Sequence, residues 1–317
     1  MNAQRSDPLA VIQWMLTRPA TPDIAPQATL LDWQQRFDPA ARQWIATLDR
    51  AMVGGFVADR LAWTLAAGYR EALKCLVPGL PAGIPAALCV TESGGNHPRA
   101  IETRLDPLDH GWELNGAKTF ITGADAARIL VVAATTGKGD NGRPRLRMVR
   151  LPTDAHGVTV TAMPDLPFVP EIIHGTLALK HIRVKPEWVL PGDGYLTYIK
   201  PFRTIEDMHV MGAVMGYLTR TALAVPWPMA LRSELFALMA ALVGLSSTDP
   251  LDPLVHIVLG GLWSHLEGWV ERTAPLWNET DPETRQRWIR DLPLLSVAQT
   301  ARTRRLETAW QYFSVSK

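Results

Sequence analysis

Residues 84–190 change the hydrophobic period of this chain, and that change limits what it can fold into more than any other feature. Before about residue 78 and after about residue 200, apolar positions recur at helical spacing. Between them lie seven short runs rich in Val, Ile, Thr and Leu, at 86–91, 101–108, 111–122, 129–135, 145–151, 157–162 and 174–184. Gly, Asp, Asn and Pro separate these runs, as expected of strands joined by turns. Pro78-Gly79-Leu80-Pro81-Ala82-Gly83 and Pro191-Gly192-Asp193-Gly194 punctuate the two changes of period. Strands linked by turns rather than by helices predict a compact β-barrel or sandwich, not βαβ units. The chain reads as α+β: a helical N-terminal domain over 1–83, a β-barrel domain over 84–194 and a C-terminal helical bundle over 195–317.

Local signals refine this outline. Residues 1–35 carry Pro19, Pro22 and Pro26 and predict a short helix followed by irregular chain. Asp38-Pro39 reads as an N-cap with proline at the first helical position, followed by an apolar stripe of Trp44, Ile45 and Leu48. Further helices are expected at 55–76, 203–224, 229–245, 253–275 and 282–313. Thr204 and Asp207 have the spacing of a capping box. Asp109-His110-Gly111 reads as a turn, and Asn115-Gly116 as a tight hairpin.

Composition removes several function classes. Apolar residues make up 47% and charged residues 20% of the chain, which excludes disordered and fibrous classes. A net charge of +1 gives no field to recruit nucleic acid or a membrane surface. The basic residues are dispersed, apart from a small group at Arg302, Arg304 and Arg305. Cys75 and Cys89 both lie in apolar surroundings and read as reduced, buried thiols of a cytoplasmic chain. No signal-peptide pattern opens the sequence, and no apolar run reaches the roughly 20 residues that span a bilayer. There is no G-x-G-x-x-G after a strand, no P-loop and no G-x-S-x-G, and the histidines show no metal spacing.

One pattern carries chemistry. Thr91-Glu92-Ser93-Gly94-Gly95-Asn96 is followed by Leu114-Asn115-Gly116-Ala117-Lys118-Thr119-Phe120-Ile121-Thr122. Here the chain resembles the acyl-CoA dehydrogenase family of flavoproteins, whose middle domain opens on a T-E-P-x-A-G-S-D-like segment. That domain continues through L-N-G-x-K-x-[WF]-I-T. Resemblance at the level of motifs covers about residues 80–195, and the helical–β–helical order matches over most of the chain. It implies an acyl-CoA dehydrogenase-like fold with a shortened C-terminal bundle, because the chain reaches Lys317 before the loop in which many members carry their catalytic Glu.

The resemblance also implies a site. Leu88, Val90 and Thr91 would line the pyrimidine side of an FAD isoalloxazine ring, Phe120 would pack against it, and Ile121 would join them in binding the cofactor. Thr122 would point its hydroxyl at N5, where a donor stabilises arriving charge. Taken singly, Thr91 and Thr122 are ordinary β-branched strand residues and Phe120 an ordinary core residue; jointly, at this spacing, they form a flavin-type floor. Asn96 and His97 stand where the family's loop reaches the thioester ligand, although the Ser-Asp pair and the proline after Glu are missing. Glu206 lies near where some members place the base that removes the α-proton, in a stretch that equally reads as a capped first helical turn.

Two functions follow as expectations. One is an FAD-dependent oxidoreductase that acts on the CH–CH bond of an acyl-CoA or related thioester, passes electrons to a soluble acceptor and forms a homodimer. The other is a catalytically degenerate member that serves as a binding or partner subunit, favoured by the missing base loop and adenine-binding elements.

Overall fold

The computed structural model describes residues 9–18, 26–95, 97–139, 142–225 and 227–315. They form two compact units. One gathers residues up to Cys75, Pro167–Glu171 and Thr204 onward; the other gathers Leu76–Leu166 and Ile172–Arg203.

The helical unit contains α1 (Ala10–Leu16), α2 (Leu30–Ala41), α3 (Thr47–Phe56), α4 (Leu61–Leu76), α5 (Lys200–Ala224), α6 (Met229–Leu245), α7 (Pro253–Thr273), α8 (Pro282–Asp291) and α9 (Gln299–Val315). The expected helix start at Asp38-Pro39 is corrected: Thr29 and Asp32 form a full capping box that starts α2 earlier, and Pro39 falls in its last turn. Asp38 instead accepts a hydrogen bond from Arg70 at 2.7 Å, and Ile45 is 89% exposed rather than part of an apolar stripe. The prolines at 19 and 22 lie outside the described residues. The single helix expected over 55–76 is two, broken where Asp59 turns inward to accept from the Gln27 amide at 3.2 Å. The helix expected over 282–313 divides into α8 and α9 around a short 3₁₀ stretch at Leu292–Ser296. Cys75 is exposed, contrary to expectation, whereas Cys89 is buried and its thiol is pushed up to about 12 by desolvation.

Close helix contact in this unit depends on missing side chains. A Cβ on Gly55 would overlap the Ala213 carbonyl, and one on Gly216 would overlap that of Met52, so α3 and α5 touch backbone to backbone. Tryptophans fill the rest: Trp277 and Trp288 stack with centroids 4.2 Å apart, and Tyr217 stacks near both.

The sheet unit is built from β1 (Ala86–Cys89), β2 (Arg104–Pro107), β3 (Trp112–Thr122), β4 (Ile129–Lys138), β5 (Pro144–Pro152), β6 (Val158–Ala162) and β7 (His174–Val184). β4 pairs with β5 along one edge, and with β1 and then β2, both parallel, along the other. β2 turns into β3, which pairs with β7, and β7 with β6. The outcome is a curled half-barrel within an α+β fold. Its core includes Cys89, Leu105, Ile121, Val132, Val149 and Leu177.

The tight hairpin expected at Asn115-Gly116 is a bulge within β3. The β3–β7 register shifts there, Gly116 has φ +152°, and a Cβ would overlap Thr103. The β2–β3 turn is the one at Asp109–Gly111, closed by Leu108 N–H to Gly111 O at 3.1 Å. Asn115 fixes the bulge by accepting from the His181 amide at 2.7 Å.

His209 gives the helical unit a measurable pH dependence. It is fully buried, lies 2.7 Å from the Ile205 carbonyl through Nδ1 and 2.9 Å from Thr47 Oγ1 through Nε2, and is pushed down to about 4 by desolvation. A folded-state value below the ordinary 6.5 means that the stabilisation is fully present above pH 6.5. It is lost as pH falls toward 4, because only the unfolded chain takes up the proton. Urea unfolding followed from pH 7 to pH 5 should lose up to about 1.4 kcal/mol per pH unit from this group. His209→Met should remove that slope.

Candidate functional site

The segment that follows β1 meets β3 at a buried ion pair. Lys118 Nζ lies 2.6 Å from Glu92 Oε1, with the lysine side chain wholly buried. Glu92 also accepts from the amides of Glu102 and Thr103, at 2.8 and 3.1 Å, and from the Thr103 hydroxyl at 2.8 Å. Burial raises the affinity of Glu92 for a proton, but the lysine and these donors outweigh it and hold the carboxyl below its ordinary value. Burial pushes the Lys118 ammonium down. Both residues stand in the motifs that carried the resemblance, where sequence reasoning gave them no role. Their signal was a pair of opposite charges within two otherwise uncharged motif segments.

The pair fixes its chain neighbours. Thr119 N–H donates to Thr91 O at 2.9 Å, and the β3–β7 register shifts between Lys118 and Ile121. Inside that shift Phe120 is held at φ +54° with 57% of its surface exposed. It is therefore not a core residue. The structure thus bonds Thr91 to Thr119, the residue that precedes Phe120. The Ile121 side chain lies in the core, so what it offers a ligand is its backbone.

Alternation assigns the remaining floor positions. Ala87 and Cys89 are buried in the core, so Leu88 and Val90, both half-buried, face the opposite side of the sheet. Thr122 follows Ile121 and is likewise half-buried away from the core. Across the β3–β7 ladder its Cα partner is His174, and Thr122 Oγ1 lies 3.5 Å from His174 Nε2.

His97 lies elsewhere in the sheet unit, in a cleft of about 570 Å³ lined also by Arg99, Arg143, Arg145, Asp193 and Tyr195. Its Nδ1 accepts from the Arg99 amide at 3.1 Å, so the neutral ring carries its proton on Nε2. The Asp193 carboxylate is engaged as an N-cap, accepting from the Tyr195 and Leu196 amides at 2.9 and 2.7 Å. Three guanidinium groups therefore dominate the cleft. They were missed in the sequence because the basic residues were taken as dispersed; the overlooked signal was the closeness of Arg143, just before β5, to Arg145, within it. Asn96 lies outside the described residues.

Glu206 sits half-buried on α5, in the helical unit. The capping-box reading of Thr204 and Asp207 is corrected. The N-cap is Asp193, followed by one π turn at Gly194–Ile199 that runs into α5. Thr204 Oγ1 lies 3.3 Å from His256 Nε2. Asp207 is buried and paired with Arg302, at 3.2 Å, and with Arg305. That clamp accounts for the basic group noted near residue 302.

Comparison with known proteins gives a consistent result. A model of the acyl-CoA dehydrogenase middle domain matches residues 87–182. The probable acyl-CoA dehydrogenase YngJ of Bacillus subtilis (strain 168) is 32% identical over 103 residues, 32% of this chain and 26% of that protein. The match therefore spans about a quarter of the relative's length. Glutaryl-CoA dehydrogenase from Mycobacterium smegmatis superposes with a TM-score of 0.67 at 14% identity, covering 98% of this chain and 95% of that one. An acyl-CoA dehydrogenase from Geobacillus kaustophilus gives 0.64 at 14% identity, covering 88% and 92%. Residues 87–182 thus match the acyl-CoA dehydrogenase middle domain, and the chain as a whole shares the fold of the acyl-CoA dehydrogenase structures.

Proposed function

We propose that this chain is a flavoprotein oxidoreductase that binds FAD against the β1–β3 floor and oxidises an acyl thioester between its α and β carbons. The observation that carries this reading is Phe120. A phenylalanine at φ +54°, 57% exposed, combines backbone strain of about 1–3 kcal/mol with bare aromatic surface. A flat aromatic ring stacked there would cover that surface. The surrounding donor set fits a flavin: apolar Leu88 and Val90, hydroxyl-bearing Thr91 and Thr122, and strand-end backbone. The similar glutaryl-CoA dehydrogenase from Mycobacterium smegmatis has been solved in complex with FADH2.

FAD bound there would supply a hydride acceptor at N5. Glu206 is the proposed base: its carboxylate would take the α-proton as the β-hydride departs and a carbon–carbon double bond forms. Electrons would then leave to a soluble acceptor. The arginine cleft would take the phosphate-bearing end of a coenzyme A thioester, since guanidinium groups bind phosphate through paired charge-assisted hydrogen bonds. His97 and Asn96 border that cleft in sequence and would contact the ligand's polar stem. Exposed apolar side chains on α6 and α7, among them Met229, Leu254 and Val258, support association with a second copy.

Three outcomes are expected. FAD titrated into the purified protein should bind in about 1:1 ratio, seen as a perturbed flavin absorption band, and Phe120→Ala should weaken binding about tenfold. Protein that stays colourless and fails to take up added FAD contradicts the reading. Anaerobic bleaching of the bound flavin by acyl-CoA should be lost in Glu206→Gln while FAD binding persists; bleaching that survives removes Glu206 as base. Arg145→Glu should raise KM for acyl-CoA about tenfold with kcat little changed, and the difference should shrink as salt rises. An unchanged KM would argue against the cleft.

A further inference from the structure

We propose that His174 decides which way the Thr122 hydroxyl points. Thr122 and His174 are Cα partners across β3 and β7, so their side chains rise from the same face of the sheet. The Ile172 carbonyl lies 3.1 Å from His174 Nδ1. A carbonyl can only accept, so Nδ1 carries the ring proton, and Nε2 of the neutral ring presents a lone pair. That lone pair faces Thr122 Oγ1 at 3.5 Å. Thr122 must therefore donate to it. Burial favours this neutral state by pushing the imidazole below its ordinary value, against the opposing pull of the Ile172 carbonyl.

A hydroxyl has one hydrogen. Once it is given to His174, Thr122 presents only oxygen lone pairs to the open face of the sheet. This reverses the donor role that resemblance implies for Thr122. The consequence for chemistry rests on the flavin reading above. The N5 edge accepts a hydrogen bond when the ring is oxidised and donates one when it is reduced. A Thr122 oxygen fixed as acceptor matches the reduced edge. His174 is thus a positioning residue that biases the floor toward the reduced ring, without itself touching substrate.

Two measurements test this. Without flavin, histidine ¹⁵N chemical shifts near neutral pH report the tautomer. A protonated Nδ1 with an unprotonated Nε2 is expected for His174, and an Nε2–H tautomer overturns the proposal whatever the flavin does. With FAD loaded, the midpoint potential reports the ratio of affinities for reduced and oxidised cofactor. His174→Leu frees the Thr122 hydrogen and should move that ratio about fivefold to tenfold toward the oxidised form. His174→Gln keeps an acceptor and should stay near wild type. In a Thr122→Val background, His174→Leu should have no such effect; an undiminished shift there overturns the proposal. Should the protein bind no FAD, the flavin reading alone fails, and the tautomer still decides the role of His174.

Discussion

A lysine ammonium taken wholly out of water is tolerated only where charge and hydrogen bonds replace its hydration. Lys118 meets that condition through Glu92, whose carboxylate is in turn satisfied by two amides and a hydroxyl from the 102–103 segment. The local register of the strand ends around it depends on this contact. Glu92 immediately follows Thr91 and Lys118 immediately precedes Thr119, so the pair sets the register in which Thr119 donates to Thr91. Removing either partner would leave a buried charge without its counterion, at a cost of several kcal/mol. Because the Glu92 carboxyl sits below its ordinary value, its stabilisation is present above the ordinary carboxylate range. It is lost as pH falls through the lowered value.

With both ends of the bulge fixed, Phe120 has little freedom to relax. Lys118 is held by Glu92 on one side, and Ile121 is anchored in the core on the other. The residues between must accommodate the register shift, and the left-handed backbone of Phe120 is the result. Backbone strain held by over-determined neighbours is a recurrent mark of ligand sites. The helical unit uses buried charge differently. Asp207 is closed off by Arg302 and Arg305, and Glu171 by Arg60 and Arg290. In each case the carboxylate is spent on packing one helix or segment against another.

The sequence made the strands legible because their alternation and turn residues agree with the final sheet over almost every run. Period failed where backbone geometry overrode it. Asn115-Gly116 has the composition of a hairpin turn, but the glycine is required by the close approach of Thr103 to a bulge, a tertiary fact that no local window contains. Asp38-Pro39 and Thr204/Asp207 both have the spacing of a helix start, yet each lies inside a helix whose real cap is upstream, at Thr29 and Asp193. The proposed floor residues were named by resemblance. The reason they assemble, the Glu92–Lys118 pair, and the Thr122–His174 contact were not, because each joins strands distant in sequence. The arginine cleft was hidden for a related reason: its charges come from two segments distant in sequence, the turn at Arg99 and the start of β5.

On the proposed function, the β1–β3 floor beside the buried ion pair is a flavin surface. Its most direct test is the NMR spectrum of protein labelled at phenylalanine and threonine, followed as FAD is added. Stacking predicts that the Phe120 ring and Thr122 methyl signals move together and saturate at one equivalent. Signals from both residues that stay unmoved at saturating FAD would contradict it.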